Sequence, residues 1–169
     1  MDIASFSEIE DEFMARVRRI VWCTVATVDR QGRPRTRILH PLWEGSTSWI
    51  GTSPISLKAK HLEHNPYVSL SYWDPQQQQI YADCKAEWHN DVATKRRIWE
   101  LYKSTPPPLG YDPAIIPPWK DGPDTPASSR GLVLMRSSPG RHGRAAPIPS
   151  RADPGRSYGV ANRFTSLRE

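Results

Sequence analysis

The stretch from Ile80 to Trp88 most constrains the fold of this chain, because apolar and polar positions alternate along it. One set of alternating positions holds Ile80, Ala82, Cys84, Ala86 and Trp88, and the other holds Tyr81, Asp83, Lys85 and Glu87. Successive side chains of a strand point to opposite faces, so the pattern predicts a strand with one buried face. Such a strand is typical of an antiparallel sheet whose other face is at least partly in contact with water.

Shorter segments with strand character surround this stretch and are separated by turn residues. β-Branched and aromatic residues predict strands over residues 20–28, 34–43, 47–52 and 67–73. Apolar spacing and capping residues predict helices over residues 8–19, with Ser7 as N-cap, over 53–64 and over about 91–103. Short antiparallel strands with a few interposed helices predict a mainly β fold, a small barrel with peripheral helices.

The composition changes in the second half of the chain. Twelve of the 17 prolines lie between residues 106 and 154. Residues 127–169 contain eight arginines and two acidic residues, whereas residues 1–126 contain 15 basic and 16 acidic ones. We therefore expect a domain over residues 1–126 and a basic, Pro/Arg-rich tail over 127–169 that is largely disordered or atypical. Within this tail only residues 132–135 have strand character. Because the positive charge belongs to the tail, it argues against a nucleic-acid-binding face on the domain.

The cysteines and the start of the chain bear on the compartment. Cys23 and Cys84 lie in apolar strand-like segments, without metal-ligand spacing or a secreted-type framework. Residues 1–12 are acidic and lack the apolar segment of a signal peptide, and no apolar run approaches transmembrane length. We expect a cytoplasmic protein with buried free thiols and no membrane contact. The histidines fall at no metal spacing, so no metal site is predicted.

A predicted strand runs directly into a short helix between residues 49 and 66. Three hydroxyl residues and a lysine, Thr52, Ser53, Ser56 and Lys58, cluster where the helix is expected to begin. A helix N-terminus presents unpaired N–H groups and the positive end of the helix dipole, and it therefore favours a phosphate. The cluster predicts that the chain binds a phosphorylated small molecule.

These segments, in their order and spacing, resemble the pyridoxamine 5′-phosphate oxidase-like FMN-binding split β-barrel superfamily. The resemblance covers residues 13–104, and it rests on a Gly-x-Pro turn, a strand arginine, a Thr-x-x-x-Ser-x-Lys pattern, an Asn-Pro helix end and a strand that opens with Gln-Ile. It implies a split antiparallel β-barrel of the Greek-key type. It also implies FMN at a homodimer interface and flavin-dependent oxidoreductase activity on a small-molecule substrate.

Matched position by position, the resemblance implies a set of cofactor-binding residues. Arg37 corresponds to the arginine that pairs with the FMN phosphate, and Lys58 to the phosphate lysine. Ile38 and Leu39 correspond to strand residues whose backbone faces the flavin ring. Thr52 and Ser56 correspond to hydroxyls beside the phosphate, and Gln79 to a glutamine near the cofactor. No catalytic acid or base can be named from the sequence.

Simpler interpretations of these residues remain open at this point. Lysine is common on solvated helix faces, so Lys58 has that simpler interpretation. Thr52 and Ser56 are also compatible with a role as helix caps alone. Arg37 is also compatible with a salt bridge on the outer face. Arg35 lies on the same strand face as Arg37 and is an alternative phosphate ligand.

Several positions depart from the authentic oxidase and favour a relative with another substrate. Leu57 stands where the oxidase has an arginine, Leu42 where it has a lysine, and Cys84 where a glycine is common. One alternative is a deazaflavin-dependent reductase of the same fold, in which Lys60 and Arg35 would meet a longer acidic tail. Further alternatives are a non-catalytic flavin- or tetrapyrrole-binding protein and a defective member of the family.

Overall fold

The computed structural model of this chain describes residues 5–124 and the backbone of residues 133–139. Its helices are α1 (Glu10–Ile20), α2 (Leu57–Leu62) and α3 (Val92–Ser104). Its strands are β1 (Cys23–Val28), β2 (Pro34–Leu39), β3 (Leu42–Glu44), β4 (Thr47–Thr52), β5 (Tyr67–Trp73), β6 (Gln79–His89) and β7 (Val133–Pro139). Short 3-10 turns cover Phe6–Glu8, Pro113–Ile115 and Pro117–Trp119.

The described strands form one antiparallel sheet in the order β2-β1-β5-β6-β7-β4-β3. Strand β1 pairs with β2 on one side and with β5 on the other. The strand predicted from the alternation, β6, pairs with β5 along seven residue positions and with β7 on its other side. The prediction of a mainly β fold with peripheral helices is confirmed.

Several element boundaries differ from the sequence prediction, and two of them change the description of the fold. The strand predicted over residues 34–43 is divided into β2 and β3, because the chain leaves β2 at His40-Pro41 and Leu42 then pairs with Trp49 of β4. Proline lacks the N–H group that a continuous ladder needs. The first helix begins at Glu10 with Ile9 at its N-cap position, so the prediction of Ser7 as N-cap is wrong. The preceding 3-10 turn is capped by Ser5, whose backbone N–H donates to Glu8 at 2.9 Å.

Strand β7 lies inside the segment that the sequence analysis assigns to the tail. It pairs with β4 through Val133–Ser137 and with β6 through Leu134–Pro139, so it occupies the middle of the sheet between them. The predicted strand character of residues 132–135 therefore marks its beginning. The boundary between residues 126 and 127 stays a prediction, because residues 125–132 and 140–169 lie outside the described ones.

The main core lies between α1 and the inner face of the sheet. Phe13 of α1 is fully buried, and its ring meets Trp43 edge to face with centroids 4.8 Å apart. The indole Nε1 of Trp43 donates a hydrogen bond of 2.8 Å to the hydroxyl of Tyr72 on β5. Edge-to-face aromatic pairs and a satisfied indole N–H fix the orientation of these large rings. The inward positions of β6 are buried as predicted from Ile80 to Ala86, and Trp88 is partly buried.

A second apolar cluster joins α3 to the proline-rich segment that follows it. Ile98, Trp99 and Tyr102 of α3 pack with Leu109 and Trp119. The Tyr102 hydroxyl bonds the backbone oxygen of Trp49 at 2.8 Å and thereby ties α3 to β4. In the part of the chain that the structure describes, no helix is both long and apolar enough to span a bilayer.

The position of Phe13 predicts a large loss of stability when its ring is removed. For Phe13→Ala, we expect the free energy of unfolding to fall by about 3–5 kcal/mol, because a fully buried aromatic ring is replaced by a cavity. Urea unfolding followed by tryptophan fluorescence measures this change. Ile115→Ala, at a side chain that is 71% exposed, is the control and should change the free energy by less than about 0.5 kcal/mol. Equal effects of the two substitutions would contradict the packing described here.

The two buried cysteines allow a second, chemical test of the core. Burial raises the pKa of the Cys23 thiol to about 12, with a hydrogen bond to Tyr72 opposing the shift, and Cys84 is buried as well. Because the thiolate is the reactive form, a thiol reagent at pH 8 should leave Cys23 unmodified in the folded protein. Both cysteines should react in denaturant. Peptide mapping identifies the modified residue, and rapid labelling of Cys23 in the folded protein would refute the assignment.

Candidate functional site

Arg37 lies on β2 directly opposite Val25 of β1, and its guanidinium turns toward β1 rather than toward a carboxylate. Its Nη1 donates to the hydroxyl of Thr27 at 2.8 Å and to the backbone oxygen of Val25 at 3.3 Å. Burial lowers the pKa of Arg37 below its ordinary value. Among the described residues Arg37 has no ion pair, so the alternative of an outer-face salt bridge has no support there.

Lys58 is the second charged group at this place. Its side chain is half-buried in the first turn of α2, and it makes no hydrogen bond or ion pair with the residues that the structure describes. Burial lowers the pKa of Lys58, and the positive charge of Arg37 lowers it further. The two cations are therefore close enough to repel each other, and an anion between them would relieve that repulsion.

Thr52 ends β4 immediately before the loop that leads to α2. Its side chain is buried, and its Oγ1 atom has no hydrogen-bond partner among the described residues. An unpaired buried hydroxyl costs about 1–3 kcal/mol relative to one with a partner. A phosphate oxygen is a suitable acceptor for it, and the position of Thr52 beside a phosphate stays a prediction.

The two serines hold the loop between β4 and α2 in shape. The hydroxyl of Ser53 accepts from the backbone N–H of Ile55, and that of Ser56 accepts from the N–H of Ala59, each at 3.4 Å. These contacts form a turn and an N-cap, so α2 has six residues where a helix over 53–64 was predicted. Because so short a helix has a weak dipole, a phosphate at this place would be bound mainly by the side chains of Arg37, Lys58 and Thr52.

Ile38 and Leu39 follow Arg37 on the same strand. In the sheet formed by the described residues, β2 is an edge strand, so its backbone groups that point away from β1 have no ladder partner. Ile38 is 61% exposed, whereas Leu39 packs against the main core. Ile38 alternates with Arg37 along β2, so its exposed side chain lies on the outer face of the strand, whereas the Arg37 guanidinium turns toward β1 on the inner face.

Gln79 is not brought together with these residues within one chain. It opens β6, where its side chain accepts a hydrogen bond from the Tyr81 hydroxyl at 2.9 Å and its backbone oxygen accepts from Arg16. Two strands, β1 and β5, lie between β6 and β2. At about 4.8 Å per strand spacing, Gln79 is therefore more than 10 Å from Arg37.

A pair of buried polar residues behind Arg37 was missed by the sequence analysis. The hydroxyl of Thr27, which accepts from Arg37, lies 2.8 Å from Nδ1 of His61 on α2. Both Thr27 and His61 are buried. A hydroxyl on the inward face of an otherwise apolar strand was the available signal, since buried polar groups are almost always hydrogen-bonded.

An open groove of about 680 Å³ lies between the β1–β2 hairpin and α2. Its lining includes four basic residues, Arg30, Arg33, Arg35 and Lys60, and two acidic ones, Asp29 and Glu63. Asp29 binds the guanidinium of Arg33 at 2.8 Å and lies 3.9 Å from that of Arg35. Hydrogen bonds from the Arg33 backbone and side chain lower the pKa of Asp29. In the described part of the chain, no three His, Cys, Asp or Glu residues are grouped as metal ligands would be.

The middle of the chain, which contains this site, matches a family model. The model is described as pyridoxamine 5′-phosphate oxidase, and it covers residues 9–109, more than half of the chain. The chain belongs to the pyridoxamine 5′-phosphate oxidase family. The predicted membership of this superfamily and its split-barrel fold class are thereby confirmed.

Curated relatives in this family are similar over a limited length. A pyridoxine/pyridoxamine 5′-phosphate oxidase of Aliivibrio salmonicida is 41% identical over 66 residues, which are 38% of this chain and 31% of the relative. The enzyme of the same name from Haemophilus influenzae is 32% identical over 87 residues, 50% of this chain and 41% of the relative. The chain therefore spans less than half the length of these relatives.

Solved structures share the fold with much lower identity. A Clostridium acetobutylicum protein related to general stress protein 26 has a TM-score of 0.57 at 16% identity, over 78% of this chain and 83% of its own. An F420 reductase has a TM-score of 0.53 at 20% identity, over 78% of this chain and 92% of its own. The heme storage protein HutZ of Vibrio cholerae has a TM-score of 0.57 at 19% identity, over 79% and 92%. Proteins of this fold thus differ in the ligands that their names record.

Thr27 predicts a measurable link between the site and the stability of the barrel. Thr27→Val keeps the shape of the side chain but removes the hydroxyl shared by Arg37 and His61. We expect the free energy of unfolding to fall by about 1–3 kcal/mol, because both groups lose a partner. Thr24→Val on the outward face of β1 is the matched control and should have little effect. An unchanged denaturation midpoint for Thr27→Val would contradict the described contacts.

Proposed function

We propose that this protein is an FMN-dependent oxidoreductase in which Arg37 and Lys58 bind the phosphate of the cofactor. The observation that carries the proposal is the pair of half-buried cations without a carboxylate partner among the described residues. The unpaired buried hydroxyl of Thr52 gives independent support, because it needs an acceptor. Because the chain belongs to the pyridoxamine 5′-phosphate oxidase family, FMN is the first candidate for the cofactor that carries this phosphate.

The donors match a phosphate monoester chemically. The Arg37 guanidinium offers a planar fork of N–H groups, and the Lys58 ammonium adds a compact charge. A phosphate dianion between them would replace their mutual repulsion by attraction. Burial strengthens this attraction, since half-buried charges are screened less by water than exposed ones.

The ring of the cofactor is proposed to lie along the later part of β2. Ile38 of β2 is 61% exposed and Trp22, which lies just before β1, is 58% exposed, so both leave apolar area at the open end of the β1–β2 hairpin. A flavin ring and the wall of a second copy of the chain would cover this area. We therefore include a homodimer with the cofactor at its interface in the proposal.

Hydride transfer in such a protein is supplied by the flavin when it is bound. The chain's own residues would hold the phosphate, orient the ring against the β2 edge and exclude water from one of its faces. No side chain near the site is assigned as a general acid or base. The substrate and the electron donor are left unassigned, and the buried cysteines favour a reducing cytoplasm as the compartment.

The phosphate assignment predicts a selective loss of FMN affinity. Arg37→Ala and Lys58→Ala should each weaken FMN binding by about ten- to a hundredfold, because a charge-assisted hydrogen bond is lost. Riboflavin, which has the same ring without the phosphate, should bind the variants as it binds the unaltered protein. Fluorescence titration measures both ligands.

Exposed residues of the same charge provide controls for this experiment. Arg18→Ala on α1 and Lys103→Ala on α3 remove one positive charge each, away from the site. They should leave FMN affinity within about twofold of that of the unaltered protein. A loss of riboflavin affinity equal to that of FMN would refute the assignment of Arg37 and Lys58 to the phosphate.

The lowered pKa of Lys58 predicts how FMN affinity depends on pH. Affinity should rise as pH increases through about 6, where a phosphate monoester becomes a dianion. It should fall again before pH reaches 10.5, the ordinary pKa of a lysine, because Lys58 loses its proton earlier in the free protein. Lys58→Met should remove most of this alkaline fall, and Lys103→Met should not. An identical alkaline fall in Lys58→Met would exclude Lys58 as its cause.

The oxidoreductase part of the proposal is tested by the visible spectrum of the purified protein. FMN in the released ligand, reversible anaerobic reduction and turnover with an added acceptor would support it. A protein that holds FMN but turns over no reductant or oxygen would instead be a flavin-binding module. A colourless protein that takes up no FMN would refute the proposal.

A further inference from the structure

His61 is a buried histidine of α2 that is connected to Arg37 by hydrogen bonds. Its side chain is 5% exposed, and its Nδ1 atom lies 2.8 Å from the hydroxyl of Thr27 on β1. Thr27 is 1% exposed, and its hydroxyl oxygen accepts from Nη1 of Arg37 at 2.8 Å. The three side chains therefore form a continuous series of hydrogen bonds from α2 through β1 to β2.

The proton of the Thr27 hydroxyl decides the direction of these hydrogen bonds. The guanidinium of Arg37 has only donors, so the Thr27 oxygen must accept from it. The hydroxyl proton is then left for Nδ1 of His61, which accepts it only when Nδ1 carries no proton. With a proton on Nδ1, the buried hydroxyl would meet two donors and have no acceptor among the described residues, which is unfavourable. These contacts therefore assign the imidazole proton to Nε2, and His61 also lines the open groove, where water can accept from Nε2–H.

The bonds to β1 use one of the three nitrogens of the Arg37 guanidinium. Its Nη1 donates both to Thr27 and to the backbone oxygen of Val25. Nε and Nη2 make no hydrogen bond with the residues that the structure describes. These two atoms form the edge of the guanidinium that presents two parallel N–H groups, which can bind two oxygens of a phosphate at once. Thr27 and Val25 thus hold one end of the guanidinium and leave this edge for a ligand.

We propose that His61 is a positioning residue for the phosphate of the cofactor, acting on Arg37 through the hydroxyl of Thr27. The proposal rests on the proposed function, because it takes Arg37 as a phosphate ligand. By accepting the hydroxyl proton, His61 turns the lone pairs of the Thr27 oxygen toward the guanidinium. The free protein then already holds Arg37 in the orientation that a phosphate needs, so less conformational freedom is lost on binding.

A purely structural role for His61 makes a different prediction. A residue that only fills space between α2 and β1 lowers stability when it is changed, and it affects ligands with and without a phosphate alike. A positioning residue for the phosphate affects only the ligand that carries one. The comparison of FMN with riboflavin, which has the same ring without the phosphate, therefore separates the two roles.

Dissociation constants of FMN and riboflavin are measured by fluorescence titration of the full chain. His61→Leu removes both ring nitrogens, and His61→Asn restores an acceptor close to the position of Nδ1. His64→Leu is the matched control, because this exposed histidine lies two residues beyond α2. We expect His61→Leu to weaken FMN binding by about five- to tenfold, and the other two variants by less than about twofold. Riboflavin affinity should stay within about twofold in all three.

A double-mutant cycle tests whether His61 acts through Thr27. Thr27→Val alone should weaken FMN binding about as much as His61→Leu, and the double variant should bind FMN no more weakly than Thr27→Val does. A loss in the double variant equal to the product of the two single losses would show independent effects and overturn the proposal. So would equal losses of FMN and riboflavin affinity in His61→Leu, or no rescue by His61→Asn.

A measurement on the unaltered protein covers the case in which His61→Leu does not fold. Long-range proton–nitrogen NMR correlations of histidine-labelled protein distinguish the two imidazole tautomers. The signals of His61 are identified by their absence from the spectrum of His61→Asn. We expect the proton on Nε2 both with and without FMN, and a proton on Nδ1 would overturn the proposal.

The failure of this inference and that of the proposed function give different results. If FMN binding depends on Arg37 but not on His61, only the inference fails. If the unaltered protein binds no FMN, the proposed function fails and the inference fails with it.

Discussion

The pairing of β1 with β2 and β5 is the interaction on which both the core and the candidate site depend. On its inward face β1 buries Cys23, Val25 and Thr27. Thr27 thus places a hydroxyl at an inward position, where an apolar side chain would be expected. That hydroxyl accepts from Arg37 and contacts His61. The same strand therefore completes the apolar core at one end and fixes the position of a buried cation at the other.

Burying positive charge without a carboxylate is unfavourable for the free protein. The lowered pKa values of Arg37 and Lys58 are the direct expression of this, because desolvation disfavours the charged form of each group. A protein retains such an arrangement at a stability cost only where another interaction offsets it. The anion of the proposed function would supply that offset, since a ligand that binds the folded state stabilises it.

Local patterns in the sequence were sufficient for much of the fold. The alternation in β6 and the turn residues between strands depend on neighbouring residues, and these elements were predicted. The extension of β7 through residues 136–139 depends on pairing with distant strands, and local patterns did not predict it. The break at Pro41 had a local signal in the proline itself, which the prediction of one strand over 34–43 did not use. The contact between Thr27 and His61 joins residues 34 positions apart, so no spacing rule could have found it.

Leu57, which differs from the residue of the authentic oxidase at this position, is one of the residues that line the groove. The authentic oxidase has an arginine at this position, whereas here an exposed leucine lines the groove next to Lys58. A leucine in place of the arginine adds apolar surface to the groove, and under the proposed function it leaves the phosphate with one donor fewer than in the oxidase. Two basic residues of the lining, Arg30 and Lys60, are exposed. The groove lining therefore carries more basic than acidic side chains, beside an exposed apolar residue that no ion pair could satisfy.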